Sequence, residues 1–230
     1  MESDTPHVSL VCCDLADTVI DSSVVERAFA EAIAAQGIVA GTQSYTRAMV
    51  KLDRRRGRPP AEVMNDVFEG NAAQAAVASF AFDQSFRDAA RRFAVAASPF
   101  VADVLKRLTR AGLKVCLLTA LSRSAGGQLV DRLRRDGLAD LGLCADDTPR
   151  GFPWPDPILM AMLRLGGSDV REVAVIGTTE GCMESGRRAG AGMIVGLAEG
   201  TEATALRKAG ATHVLDGLDG VSALLLEAAA

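Results

Sequence analysis

Apolar and polar positions along this chain follow two different periods. Residues 8–13 form a short run of apolar and β-branched side chains, the mark of a strand buried on both faces, and Asp14 ends it. From Asp21 to about Ala97 the spacing turns helical. Val24, Val25, Ala28, Phe29, Ala32 and Ile33 recur on one helical face, with Gly37 to stop the helix. Pro59-Pro60 then opens a second helix over 61–69, with Val63, Met64 and Val67 on one side. Phe80, Phe82, Phe86 and Phe93 mark further helices before Ser98-Pro99. Most of the eight Phe fall in this stretch, as a small all-helical unit needs large side chains to build a core.

Beyond Val101 helix and strand alternate. Helices are predicted over 101–111, 123–136, 157–165, 184–189 and 202–208, and strands over 113–119, 141–145, 173–177, 193–197 and 213–215. That order specifies an α/β protein with a parallel, Rossmann-like sheet. The predicted organisation is a core domain from residues 1–20 and 98–230 with an inserted all-helical domain at 21–97. Asp14 closes a central strand, and open α/β sheets bind their ligands in the crevice at such strand ends. Chemistry is therefore expected between core and insertion, reached from Asp14, Thr119, Ala145 and Gly177.

Composition narrows the function classes. With 49% hydrophobic residues the chain is globular, and no apolar run approaches the ~20 residues of a membrane span. A net charge of -4 and a pI near 5.3 give no general attraction to nucleic acid or anionic membrane. The expected partner is a small molecule, with a homodimer left open. The segment from Met1 to His7 lacks a signal-peptide layout, which predicts a cytoplasmic protein. Cys12, Cys13, Cys116, Cys144 and Cys182 show no Cys-x-x-Cys spacing and read as free core thiols in a reducing compartment. The one basic cluster, Arg54-Arg55-Arg56-Gly57-Arg58, is either a solvated helix end or a local anion-steering patch.

The segment Asp14-Leu15-Ala16-Asp17-Thr18 after the first strand resembles motif I of the haloacid dehalogenase-like (HAD) hydrolases, usually Asp-x-Asp-Gly-Thr. Within that superfamily it is most similar to the phosphonoacetaldehyde hydrolase (phosphonatase) branch, Asp-x-Ala-Gly-Thr. The resemblance implies that Asp14 is the nucleophile. It also places Ala16 where the general acid/base would stand and Asp17 where Gly is usual. A helical insertion straight after the first strand matches the family's C1 cap, so the likeness covers essentially the whole chain.

Three further motifs follow in order. Motif II, a Ser or Thr holding a phosphoryl oxygen, falls on Thr119. Motif III, Gly-Lys/Arg-Pro-x-Pro-Asp, falls on Gly151-Phe152-Pro153-Trp154-Pro155-Asp156, so Phe152 occupies the cation's place and Arg150 lies one residue away. Motif IV falls on Gly177 to Gly186, with Thr178 and Cys182 where acids belong. Magnesium requires hard, usually anionic oxygen ligands. With Ala16, Thr178 and Cys182 in place only Asp14 remains, while Glu180 and Glu184 are expected to solvate the start of the next helix. No cofactor is therefore expected, and Mg²⁺ is not expected to bind tightly.

Phosphonatase also uses a cap lysine that forms a Schiff base with an aldehyde. Lys51 lies where the resemblance puts it, although the Met-Gly turn before it is unmatched; its other reading is a surface lysine on a basic helix. The sequence thus supports a divergent, phosphonatase-like HAD protein that acts on or binds a small organic or phosphorylated metabolite and is not a conventional Mg²⁺-dependent phosphatase. Asp14 and Lys51 are its catalytic candidates, and Thr18, Thr119, Arg150, Phe152 and Trp154 its substrate-binding ones, the last two as an apolar wall. Three alternatives stay open: an active phosphonatase-like hydrolase, a metal-independent displacement on carbon of the dehalogenase type, and a binding protein without catalysis.

Overall fold

Runs of apolar, β-branched residues pair side by side because both of their faces can then be covered by helices. A computed structural model describes residues 7–92, 95–198 and 200–228, the side chain of Thr201 excepted. It contains six parallel strands: β1 (Leu10–Asp14), β2 (Lys114–Leu118), β3 (Leu141–Leu143), β4 (Val173–Gly177), β5 (Met193–Leu197) and β6 (His213–Leu215). Their order is β3-β2-β1-β4-β5-β6. The sequence direction reverses at β1, so a crevice opens at its carboxyl end between β2 and β4. Asp14 pairs with Leu118, and Cys13 with Ile176, which brings Asp14 beside Gly177.

Four helices follow β1: α1 (Ser23–Ala34), α2 (Gln43–Arg54), α3 (Pro60–Val67) and α4 (Ala72–Arg92). Phe80, Phe82 and Phe86 therefore belong to one long helix where several were expected. Ala72 to Ala81 has no Pro and no Gly to break it. Phe82 and Phe86 are buried with ring centroids 6.2 Å apart, whereas Phe80 is 64% exposed. Phe93 lies outside the described residues. Fully burying one such ring contributes about 2–3 kcal/mol.

The rest of the chain supplies α5 (Pro99–Arg110), α6 (Arg123–Arg135), α7 (Asp156–Leu165), α8 (Glu180–Ala189), α9 (Gly200–Ala209) and α10 (Asp219–Ala228). The last was not anticipated; it packs on α5. Helix α8 begins at Glu180 rather than at the expected residue 184, because the Thr179 side chain accepts the Cys182 N–H and caps it there. Alternate strand residues face opposite sides of the sheet. Val11, Cys13, Val115 and Leu117 pack into one apolar cluster that runs without a break into Phe29, Met64, Phe82 and Phe86 of the insertion. Cys12, Cys116, Leu118 and Val175 form the other beneath α7 and α8. All five cysteines are buried and unpaired. No described helix is long and apolar enough to cross a membrane.

Candidate active site

The loop after β1 turns tightly. The Val19 and Ile20 N–H groups both donate to the Leu15 carbonyl, and the Asp17 N–H donates to the Ile20 carbonyl. Closing that turn puts Asp17 in the left-handed region at φ 55°, the only non-glycine there among the described residues. Asp is among the few side chains that tolerate this conformation. Its Oδ1 accepts from the Ser22 N–H at 3.2 Å.

Asp14, at the end of β1, is only 3% exposed, and its Oδ2 has no hydrogen-bond partner among the described residues. Burial pushes its pKa up to about 7; the Leu15 and Ala16 backbone N–H groups pull the other way, and the Asp17 charge adds to the rise. No cation offsets that rise. Gly177 is required beside it, since a Cβ there would lie 2.7 Å from the Cys182 Sγ and 3.3 Å from the Asp14 Cβ. The Cys182 thiol is itself raised well above its ordinary value, first by burial and then by Asp14.

Asp14 opens into a cavity of about 240 Å³. Its core side is formed by Asp14, Asp17, Thr119 and Leu121, and its insertion side by Met49, Leu52, Arg56, Gly57, Arg58 and Pro60. Thr119 Oγ1 accepts from the Leu121 N–H at 3.1 Å, fixing the loop after β2. Between α2 and α3 the basic loop is seated on the core. Gly57, at φ 80°, approaches Thr179 so closely that a Cβ would lie 2.7 Å from its Oγ1. Beyond this contact lies a polar groove of about 640 Å³, lined by Arg54, Arg58, Thr178, Glu180, Glu184 and Glu202 among others.

A sequence model of the haloacid dehalogenase-like hydrolases matches residues 8–190. The chain belongs to that family. It is 35% identical to a phosphonoacetaldehyde hydrolase of Pseudomonas entomophila over 94 residues, and 32% identical to that of Bordetella pertussis over 93 residues. Each match takes in 40% of this chain and 34% of the relative, so the chain covers about a third of the length of those curated relatives. Among solved structures, a phosphonoacetaldehyde hydrolase-like protein from Oleispira antarctica superposes with a TM-score of 0.76 at 20% identity, covering 100% of this chain and 98% of that one. A hydrolase from Pseudomonas syringae gives 0.74 at 23% identity, with coverage of 94% and 97%. These structures share the HAD fold.

Of the residues singled out in the sequence, Asp14 and Thr119 share the cavity. Thr18 is buried, with its hydroxyl unpartnered among the described residues, but it is not among the lining residues. Lys51 points elsewhere. Its Nζ donates to the Asp66 carbonyl and pairs with Glu69 at 2.9 Å, where α2 meets α3. Arg150 is held by Asp156 through two bonds of 3.0 and 2.8 Å, and its guanidinium lies 4.5 Å from the Trp154 ring. Trp154, 42% exposed, also carries Arg188 at 4.9 Å, and with Arg150 it lines a different cleft. Phe152 is 4% exposed and packs with Ile158 and Cys182 in the lower core. Neither aromatic walls the cavity that holds Asp14.

Sequence reasoning left Asp17 and Thr179 out of the site and left the arginine loop undecided. The signals were present: a basic run ending in Gly57, and a Thr two residues past the end of an apolar strand, three before Cys182. The family's usual magnesium does not fit the donors present. Ala16, Thr178 and Cys182 offer no carboxylate, Asp17 is engaged by Ser22 and Arg56, and Glu184 pairs with Arg187 and Arg188. Among the described residues no three His, Cys, Asp or Glu converge on one point.

Proposed function

We propose that this HAD protein is a metal-independent hydrolase in which Asp14 attacks an electrophilic carbon of a small organic substrate. The observation that carries the reading is the setting of Asp14: a buried carboxylate with one oxygen unpartnered among the described residues, facing a cavity, its raised pKa offset by none of the arginines that line that cavity. A phosphoryl group brings its own negative charge, and without a cation its displacement forfeits the electrostatic stabilisation that is usually the largest catalytic contribution. An uncharged carbon centre does not need it. A carboxylate stripped of water is also a stronger nucleophile once ionised. In the first step an Asp14 oxygen bonds to carbon and the leaving group departs with the bonding electrons. In the second, water adds to the Asp14 ester carbonyl, the alcohol leaves, and one proton is released.

The test compares halide release from short halogenated acids and amides in excess chelator with phosphate release from p-nitrophenyl phosphate in magnesium. Halide release that survives the chelator and disappears in Asp14→Asn is expected. Magnesium-dependent phosphate release abolished by the same substitution would reinstate an ordinary phosphatase.

A second reading, cleavage of a carbon–phosphorus bond through an imine, is favoured by the similarity to the phosphonoacetaldehyde hydrolases. It requires Lys51 to leave Glu69 and turn into the cavity. Borohydride trapping of an aldehyde that is lost in Lys51→Arg would establish it. The small-molecule partner, the cytoplasmic setting and the division into core and cap belong to the same proposal.

A further inference from the structure

We infer that the cleft between α4 and α6 is a binding site for a diphosphate, either free or as the end of a larger molecule such as a nucleotide. The cleft shares no lining residue with the cavity that holds Asp14, so the inference stands apart from the reaction proposed there.

Helix α4 of the insertion packs on α6 of the core, and a cleft of about 290 Å³ lies along their junction. Charge there runs against the trend of the molecule. The whole chain carries a net charge of -4, yet α4 and α6 together hold seven arginines and three aspartates. Four of those arginines line the cleft: Arg87 and Arg91, one helical turn apart on α4, and Arg132 and Arg135, likewise on α6. Asp131 is the single acid among the lining residues, and it is shared between Arg123 and Arg134, 3.8 Å from each. Of the other acids on or next to these helices, Asp83 accepts from the Ser122 hydroxyl at 2.8 Å. Among the described residues none of Asp83, Asp88 and Asp136 pairs with any of the four arginines.

What these arginines touch is neutral. Arg87 donates to the Ser124 hydroxyl at 3.4 Å and Arg91 to the Gln128 side-chain carbonyl at 3.0 Å, both on α6. Those bonds aim the α4 pair across the junction without cancelling its charge, and each takes only one of a guanidinium's five N–H donors. The Arg132 Nη2 is buried with no partner among the described residues. An unmet donor on a buried charged group is costly, and an anion entering the cleft would meet it. Two pairs of cations, one from each helix, call for an anion with two charged centres. Guanidinium forks match the oxygens of a phosphoryl group. A single phosphate neutralises one pair and leaves the other repelling itself, whereas a diphosphate offers a centre to each. Ala90, Ala125 and Leu129 complete the lining, and the volume falls near the lower end of the roughly 300–1,000 Å³ of small-molecule sites. That suits a compact ligand, and one gripped by both pairs ties the insertion to the core.

Calorimetric titration of the whole chain with pyrophosphate, inorganic phosphate and adenosine diphosphate, in metal-free buffer of low ionic strength, tests this. Pyrophosphate is expected to bind, and inorganic phosphate to bind at least about tenfold more weakly. Arg91→Gln and Arg135→Gln should each weaken pyrophosphate by about tenfold. Both side chains are exposed, so neither change opens a hole in the core. Arg56→Gln, at the Asp14 cavity, should leave the affinity unchanged. No binding of pyrophosphate, equal binding of phosphate and pyrophosphate, or Arg91 and Arg135 variants within about twofold of the parent would each overturn the inference. So would a loss in Arg56→Gln that Arg91→Gln does not share, because the anion would then sit beside Asp14. Where the arginine variants behave as expected, adenosine diphosphate binding at least as tightly as pyrophosphate supports the site with a nucleotide as its ligand. Weaker binding of the nucleotide supports it with free diphosphate.

Discussion

Replacing Asp14 by Asn should change the stability of the protein by an amount that depends on pH, increasingly in the variant's favour as pH rises. The carboxylate titrates near 7 in the folded chain against an ordinary value of 3.8. Below pH ~4 it is protonated whether the chain is folded or not, and it makes no difference to stability. Between these values the unfolded chain ionises first, the folded chain holds the extra proton, and stability falls as pH rises. Above pH ~7 both states are ionised and the whole penalty is present, about 4 kcal/mol for a gap of this size. Asn has no such titration. It carries instead an amide in place of the unpartnered Oδ2, a cost that does not change with pH. The difference in unfolding free energy between Asp14→Asn and the parent should therefore climb by about 4 kcal/mol from pH 4 to pH 8, whatever its starting value. Urea unfolding suits the measurement because it adds no salt. A difference that stays flat across this range would refute the claim that Asp14 is desolvated and lacks a neighbouring cation.

Two further outcomes follow from packing. Gly57→Ala meets both a left-handed backbone and the Thr179 hydroxyl, whereas Gly112→Ala, at φ 90° with nothing within 4 Å, meets the backbone strain alone. Each should lose about 1–2 kcal/mol from strain, and urea unfolding should show the Gly57 variant losing measurably more. Phe152→Ala should cost about 3–5 kcal/mol in the same assay, because the ring fills the lower core.

The sheet was legible in the sequence because strands buried on both faces are written as unbroken apolar runs, and β4 and β5 sit where those runs lie. Asp14 and Thr119 were legible for the same reason: each closes such a run. Five other candidates do not line the cavity, Thr18 among them, and for the rest the reasons differ. Lys51 found a carboxylate partner one helix away, and Arg150 found one six residues on. Phe152 and Trp154 divide between core and surface, a choice that residue type does not decide for an aromatic. The arginine loop was readable as charge but not as location. Whether a basic turn faces solvent or a cavity depends on how α2 and α3 dock, which is a long-range contact.

Asp17 shows that a signature position can be defined by chirality instead of by residue name. At φ 55° the chain asks of that slot only a side chain able to live in a mirror-image turn, and Asp meets the demand as Gly does. A pattern that insists on Gly there would pass over sequences built like this one. One that admits Asp and Asn and excludes β-branched residues would follow the stereochemistry, and would collect other hydrolase-like chains in which a charge stands three residues after the Asp that closes the first strand.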